Sequence, residues 1–248
     1  MNKIFLEWPI VVHKKFKNET LQKITSKFSI IKKILDRLPQ KVLEKIYKED
    51  YTVTERIFER GFLFMNLYDV SVGSKILDVG CCWSSISLEL SCLGYKVWGI
   101  DISEYPFYHP NFTFVKGSIC KTEFEDNFFD VIIAISTIEH IGLGHYGDSV
   151  FEDDYQAVSE IKRILKPNGK FILTLPFGKN MKTQLFRVYD KEALNKLISS
   201  FEIVKLQYFL NYNDKYWTLV TEEEVISCGV NERGRNTGNV CIVLKNLK

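Results

Sequence analysis

The sequence predicts an α/β domain built on a largely parallel sheet, and three observations predict it. From Lys75 onward, short apolar runs alternate with segments whose apolar positions recur every three or four residues. The first of these runs ends in Asp78-Val79-Gly80 and leads through small residues into a helical pattern, a strand, tight turn and helix in succession. The last two runs are separated only by a short helical stretch around Glu222–Ile226, which suits an antiparallel finish at the sheet edge.

Strand signals lie at 76–79, 97–100, 112–115, 131–135 and 171–175, with two more at 203–209 and 240–244. Helical patterns fall near 84–93, 151–165 and 191–199. Strands alternating with helices imply crossover units, hence a parallel sheet covered by helices on both faces. Residues 1–70 read differently, as a helical N-terminal cap preceding a main domain over 71–248. Leu21, Ile24, Phe28, Ile31, Leu35 and Leu38 form an apolar stripe between lysines, ended by Pro39, and a second periodic segment runs from Val53 to Leu67 with Thr52 or Thr54 available as a cap.

Of the 248 residues 46% are hydrophobic, enough for one sizeable core with an appendage. The net charge is only +2, but it is unevenly placed: residues 1–50 carry a net +6 and the remainder a net −4. The lysine-coated stripe reads as a lid packed on the main domain, with peripheral contact to a membrane surface or an anionic substrate as the alternative. The six cysteines show no C-x-x-C pair and follow no signal-peptide pattern, so they read as reduced thiols of a cytoplasmic protein. Histidines and cysteines show no metal-ligand spacing, and no metal is expected.

In an open α/β sheet a ligand meets the carboxyl ends of the strands. The turn after the first strand has Gly80 alone, with Cys82 and Ser84 where further glycines of a G-x-G-x-x-G turn would stand, and there is no Lys-Ser/Thr pair of a P-loop. It admits a ligand closely without demanding a phosphate. Gly99-Ile100-Asp101-Ile102-Ser103 places a second carboxylate at the same edge, where it can take the paired hydroxyls of a ribose.

Ile76-Leu77-Asp78-Val79-Gly80-Cys81 followed by Val97-Trp98-Gly99-Ile100-Asp101-Ile102-Ser103 resembles the first two motifs of class I S-adenosylmethionine-dependent methyltransferases. Phe129-Asp130-Val131-Ile132-Ile133-Ala134 and Leu165-Lys166-Pro167-Asn168-Gly169-Lys170 resemble its later ones, in order and at fitting spacing. The resemblance implies a Rossmann-like sheet of seven strands, mostly parallel with an antiparallel last strand, and S-adenosyl-L-methionine as cofactor. It further implies that Asp78, Gly80, Cys81 and Cys82 lie near the methionine part, that Asp101 and Ile102 serve the ribose, and that Ser136 follows the fourth strand beside the cofactor. Where the family often has an acid near the adenine, this chain has Gly117-Ser118-Ile119; Ser118 would bond the adenine or Ile119 pack on it. Ser136-Thr137-Ile138-Glu139-His140-Ile141-Gly142-Leu143-Gly144-His145-Tyr146-Gly147-Asp148 resembles a poorly characterised branch found near surface-polysaccharide genes. Its members carry a Glu-Arg pair ahead of the first strand, corresponding to Glu55-Arg56, so Arg56 would clamp the cofactor's carboxylate.

Methyl transfer to a hydroxyl needs alignment and removal of one proton. Glu139-His140 follows the fourth strand, with His140 suited to act as base and Glu139 to orient it or hold the acceptor; a packing role for His140 is the alternative. The loop from Gly142 to Asp148 reads either as a substrate gate or as a plain connection capped by Asp148 or Ser149. The aromatic and amide-rich run from Tyr208 to Trp217 reads as a substrate-side surface or a packed strand edge. Cys81 and Cys82 read as small turn residues instead of nucleophiles, and no Asn/Asp-Pro-Pro-Tyr run favours base methylation. The sequence thus predicts a methyltransferase for a small-molecule or glycan-linked acceptor, at oxygen. Alternatives are a non-catalytic cofactor-binding regulatory or assembly protein, or an RNA methyltransferase using the basic N-terminal helix, although a nucleic-acid partner is not favoured.

Overall fold

The apolar runs of the central strands are buried on both sides because helices cover both faces of one eight-stranded sheet. The computed structural model describes residues 11–13, 51–82, 84–232 and 234–247. The stripe from Leu21 to Leu38 therefore lies outside the described residues.

In chain order the elements begin with β1 (Val11–His13), β2 (Tyr51–Val53) and α1 (Arg56–Met65), with β1 antiparallel to β2. Then come β3 (Lys75–Val79), α2 (Ile86–Cys92), β4 (Lys96–Asp101), β5 (Phe112–Lys116) and β6 (Phe129–Ile135). A 3₁₀ turn at Ile138–His140 precedes α3 (Asp154–Ile164), β7 (Leu165–Pro176), β8 (Met181–Lys182), β9 (Arg187–Val188) and α4 (Lys191–Leu197). The chain finishes with β10 (Phe201–Tyr212), β11 (Tyr216–Val220), α5 (Glu222–Val225) and β12 (Gly238–Asn246).

The main sheet runs β11-β10-β12-β7-β6-β3-β4-β5. Strands β3 to β7 pair parallel, while β12 is antiparallel to both β7 and β10. The seven expected strands are present within a sheet of eight, and β12 is the antiparallel one, though it lies inside the sheet between β7 and β10 and not at the expected edge. The eighth, β11, is a hairpin partner of β10 on the outer edge, joined through Asn213 and Asp214 at positive φ. It belongs to the run from Tyr208 to Trp217. There Phe209 stacks on Phe58 of α1 with ring centroids 4.0 Å apart, and Trp217 meets the same ring edge-on while its Nε1 donates to the Val53 carbonyl at 3.0 Å. These rings are spent on packing against α1, which corrects the substrate-side alternative for them.

Alternation along the strands sorts the core into two layers. Ile76, Val131, Ile133, Ile172 and Val243 face Phe62 and Leu63 of α1 and Ile86 and Leu90 of α2. Leu77, Val79, Ile132, Leu173 and Ile242 face α3, α4 and α5 through Ile161, Leu194 and Val225. Helix α1 starts at Arg56 with Glu55 at its N-cap position, not Thr52 or Thr54, and the Glu55 side chain makes no capping bond. Helix α3 is capped by Asp153, which accepts from the Gln156 N–H at 2.7 Å, and not by Asp148 or Ser149. The segments after β4 and β5 hold no regular helix, and Pro106 and Pro110 account for the first of these. No helix among the described residues is long and apolar enough to cross a membrane. All six cysteines are free.

Candidate active site

The carboxyl ends of β3, β4 and β6 meet at one edge, and the turns leaving them form the site. Gly80 sits at φ +73°, where a side chain would be strained and a Cβ would overlap the Thr137 side chain after β6. Its N–H donates to the Ile100 carbonyl at 2.9 Å, which binds the β3 turn to the end of β4. Cys81 is buried in the core and lies so close to Gly99 that a Cβ there would be 2.7 Å from its sulfur. Ser84 accepts from the Ile86 N–H at 3.1 Å, so it opens α2 instead of standing in for a glycine.

Asp101 ends β4. One of its oxygens accepts from the Cys82 N–H at 3.0 Å and the other from the Ser103 N–H at 2.8 Å. Each oxygen keeps a second lone pair for a ligand hydroxyl. Asp78 is buried beneath, accepts from Ser87 Oγ at 2.6 Å, and is pushed up to about 7 mainly by desolvation. The Gly117 N–H donates to the Asp101 carbonyl at 2.9 Å, bringing the turn after β5 alongside. Ser118 Oγ donates to Glu152 at 2.9 Å, and Ile119 is buried in the core on the α3 side. Ile102 is half-buried next to Asp101.

Beyond β6, Ser136 at φ +47° donates its N–H to Thr174 Oγ1 at 2.9 Å and its hydroxyl to Glu59 at 2.6 Å. Thr174 also donates to that Glu59 oxygen, at 2.7 Å, and Arg56 pairs with the other one. Arg56 is thus already engaged by a fully buried carboxylate, and its charge reaches Asp78, Glu139 and His140.

Glu139 and His140 occupy the 3₁₀ turn. Arg187 donates to the Ile141 carbonyl at 2.6 Å and to that of Glu139 at 3.3 Å, holding the turn to β9. Glu139 is buried, its Oε2 has no partner among the described residues, and burial first, then the field of Glu59, raises it well above the ordinary carboxylate range. His140 Nδ1 lies 2.5 Å from the Leu185 carbonyl. A carbonyl only accepts, so Nδ1 carries the proton and Nε2 keeps its lone pair. Burial lowers the imidazole's pKa below the ordinary 6.5. Nε2 is 3.7 Å from Glu139, too far for a bond, which leaves both groups available to a third.

The loop after this turn is closed by Asp148, which accepts from the N–H groups of Gly142 at 2.6 Å and Leu143 at 3.0 Å. Tyr146 stands edge-on to His140, 5.3 Å between centroids. The edge therefore gathers Gly80, Cys82, Asp101, Gly117 and the Glu139-His140 turn, whereas Cys81, Ile119 and Ser136 serve mainly packing and hydrogen bonding within the protein. Glu59, Thr174, Glu152 and Arg187 were not anticipated from the sequence; a glutamate in an amphipathic helix gives no signal that tertiary packing will bury it.

Residues 77–173 match the family model described as a methyltransferase domain. Over that stretch the chain is similar to methyltransferase domains. It is 30% identical over 135 residues to a demethylmenaquinone methyltransferase of Chlorobaculum tepidum, covering 51% of this chain and 52% of that protein. A sterol 24-C-methyltransferase of Gibberella zeae is 32% identical over 114 residues, covering 41% of this chain and 27% of that protein. The match thus spans from about a quarter to a half of these curated relatives' length. Among solved structures, a Burkholderia thailandensis 1,6-didemethyltoxoflavin-N1-methyltransferase with bound 1,6-didemethyltoxoflavin and S-adenosylhomocysteine superposes with a TM-score of 0.54. That likeness is at 14% identity, covers 77% of this chain and 78% of the other, and speaks for the fold.

Proposed function

We propose that this protein transfers a methyl group from S-adenosylmethionine to an oxygen of a small-molecule or glycan-linked acceptor. The observation that carries the proposal is the pairing, at one sheet edge, of the doubly anchored Asp101 carboxylate with a neutral His140 whose Nε2 is free. The residues fit the cofactor: Asp101 offers two lone pairs to ribose hydroxyls, and the turn at Gly80 has backbone where a side chain would obstruct. Asp78 and the turn residue Cys82 border the methionine end, with Arg56 close enough for its charge to reach Asp78. At the adenine end stand Gly117 and Ser118.

Bound there, S-adenosylmethionine supplies an electrophilic methyl on a sulfonium. The chain's own task is to align the acceptor and take its proton. His140 Nε2 removes the proton from the acceptor hydroxyl as the oxygen gains the methyl, and the Leu185 carbonyl steadies the resulting imidazolium through Nδ1–H. Glu139, unpartnered at Oε2, supplies a hydrogen-bonding group to the acceptor. Tyr146 and the Gly142–Asp148 loop border the same place and suit a polar, hydroxylated acceptor.

Calorimetry with S-adenosylmethionine and S-adenosylhomocysteine tests the reading: both bind, and absence of binding by either overturns it. Asp101→Ala weakens that binding by about 1–3 kcal/mol, the value of hydrogen bonds to a charged group; unchanged affinity would remove Asp101 from the ribose. The pH profile gives a separate check. Because the His140 pKa is lowered, the basic form persists to lower pH, so kcat/KM rises through an ionisation below 6.5 and is flat above it as far as His140 is concerned. A limb centred at or above 6.5 would argue against His140 as the base.

A further inference from the structure

Cys81 and Cys82 find no chemical role in methyl transfer, yet the fold brings both sulfurs to Asp101. The two thiol sulfurs and one Asp101 oxygen all lie within 4.8 Å of one another, the only such grouping of three metal-binding side chains among the described residues. In a tetrahedral zinc site, with Zn–S of about 2.3 Å and Zn–O of about 2.0–2.2 Å, ligand atoms are roughly 3.5–3.8 Å apart, so about 1 Å of side-chain movement closes the set. We propose that Cys81, Cys82 and Asp101 form a binding site for a thiophilic divalent cation of the zinc and cadmium class.

The donor set decides the class. Two sulfurs and a carboxylate oxygen suit a borderline or soft ion, and magnesium or calcium would want oxygen alone. The site is also built, not accidental in its supports. The Cys82 N–H and the Ser103 N–H fix the Asp101 carboxylate from either side, and the Gly99 backbone leaves the room that the Cys81 sulfur fills. The Cys82 sulfur faces the Ser103 carbonyl at 3.3 Å, so an oxygen is at hand to complete four-fold coordination. Cys81 is fully buried, whereas Cys82 and Asp101 are half-buried, so an ion reaches the sulfurs from the ligand edge. Binding replaces two thiol protons by one cation. Resting on the reading of Asp101 as the ribose ligand, the cation and the methyl donor exclude each other, which makes the site an inhibitory one.

The test uses the full chain, reduced and metal-free, titrated with cadmium ion alone. Thiolate-to-cadmium absorption in the near ultraviolet is followed together with proton release. One equivalent is expected to bind with release of two protons. Cys82→Ser is expected to weaken binding at least tenfold and Asp101→Asn to weaken it measurably, while Cys92→Ser, an exposed thiol elsewhere, leaves it unchanged. Circular dichroism of each variant verifies that the fold persists. Absence of saturable absorption, or a signal equal in Cys82→Ser and lost in Cys92→Ser, overturns the proposal. Failure of S-adenosylmethionine to compete with cadmium, with cadmium still bound, would overturn the placement of Asp101 at the ribose and leave the metal site standing.

Discussion

Glu59→Ala lowers the free energy of unfolding by about 3–5 kcal/mol, the cost of stripping one member from a buried charge pair. Glu59 is fully buried, and its two oxygens serve Arg56, Ser136 and Thr174. Removing it leaves a largely enclosed guanidinium without its carboxylate and two hydroxyls without their acceptor. The loss spreads to the ligand edge, because Ser136 occupies a left-handed conformation that its bonds to Glu59 and Thr174 hold in place. Urea unfolding of the purified chain measures the effect. Glu59→Gln, which keeps an oxygen for the hydroxyls and discards the charge, should fall between the two; a loss below about 1 kcal/mol for the alanine variant would show that water or another group replaces Glu59.

His140→Ala lowers kcat by about 10²–10⁴-fold while leaving cofactor affinity within about twofold, the range expected for loss of a general base. The prediction follows from the tautomer. Nδ1–H is spent on the Leu185 carbonyl, so the ring's remaining capacity is a single lone pair on Nε2. S-adenosylhomocysteine formation with an accepted substrate gives kcat, and calorimetry gives cofactor affinity. Equal losses in both would assign His140 to packing. Glu139→Gln is informative alongside it: the carboxyl is already driven toward its neutral form by burial, so the amide replacement should cost less than removal of the imidazole.

The strands of the parallel half were legible because burial on both faces forces continuous apolar runs, and such runs survive any detail of packing. Strand β11 was not. Tyr216 and Leu219 are more than half exposed and none of the run from Tyr216 to Val220 is fully buried, so this outer-edge strand lacks a continuous apolar pattern and blends into the aromatic segment before it. The placement of Asp78, Gly80 and Asp101 where strands give way to turns was legible for a related reason: a strand end followed by a tight turn leaves few residue types to choose from. The partners of the site residues were not. Ser118 meets Glu152 thirty-four residues away, and Glu59 reaches Ser136 across seventy-seven, distances over which no periodicity carries information. The caps of α1 and α3 went astray by one to five residues, since several oxygen-bearing side chains compete near each start and only backbone geometry selects among them.

The position of β12 has a bearing on biosynthesis. This strand lies between β7 and β10, and nearly all its residues are buried. Strands β3 to β7 can pair as soon as they leave the ribosome, but β10 and β11 pair only with each other and have no link to the rest of the sheet until residues 238–246 emerge. During translation the nascent chain therefore carries the ligand-binding half beside a β10–β11 hairpin with its β10 edge open, and that free backbone invites a chaperone or a second nascent chain. A pause in synthesis before residue 238 would lengthen that exposure, and rapid completion would shorten it.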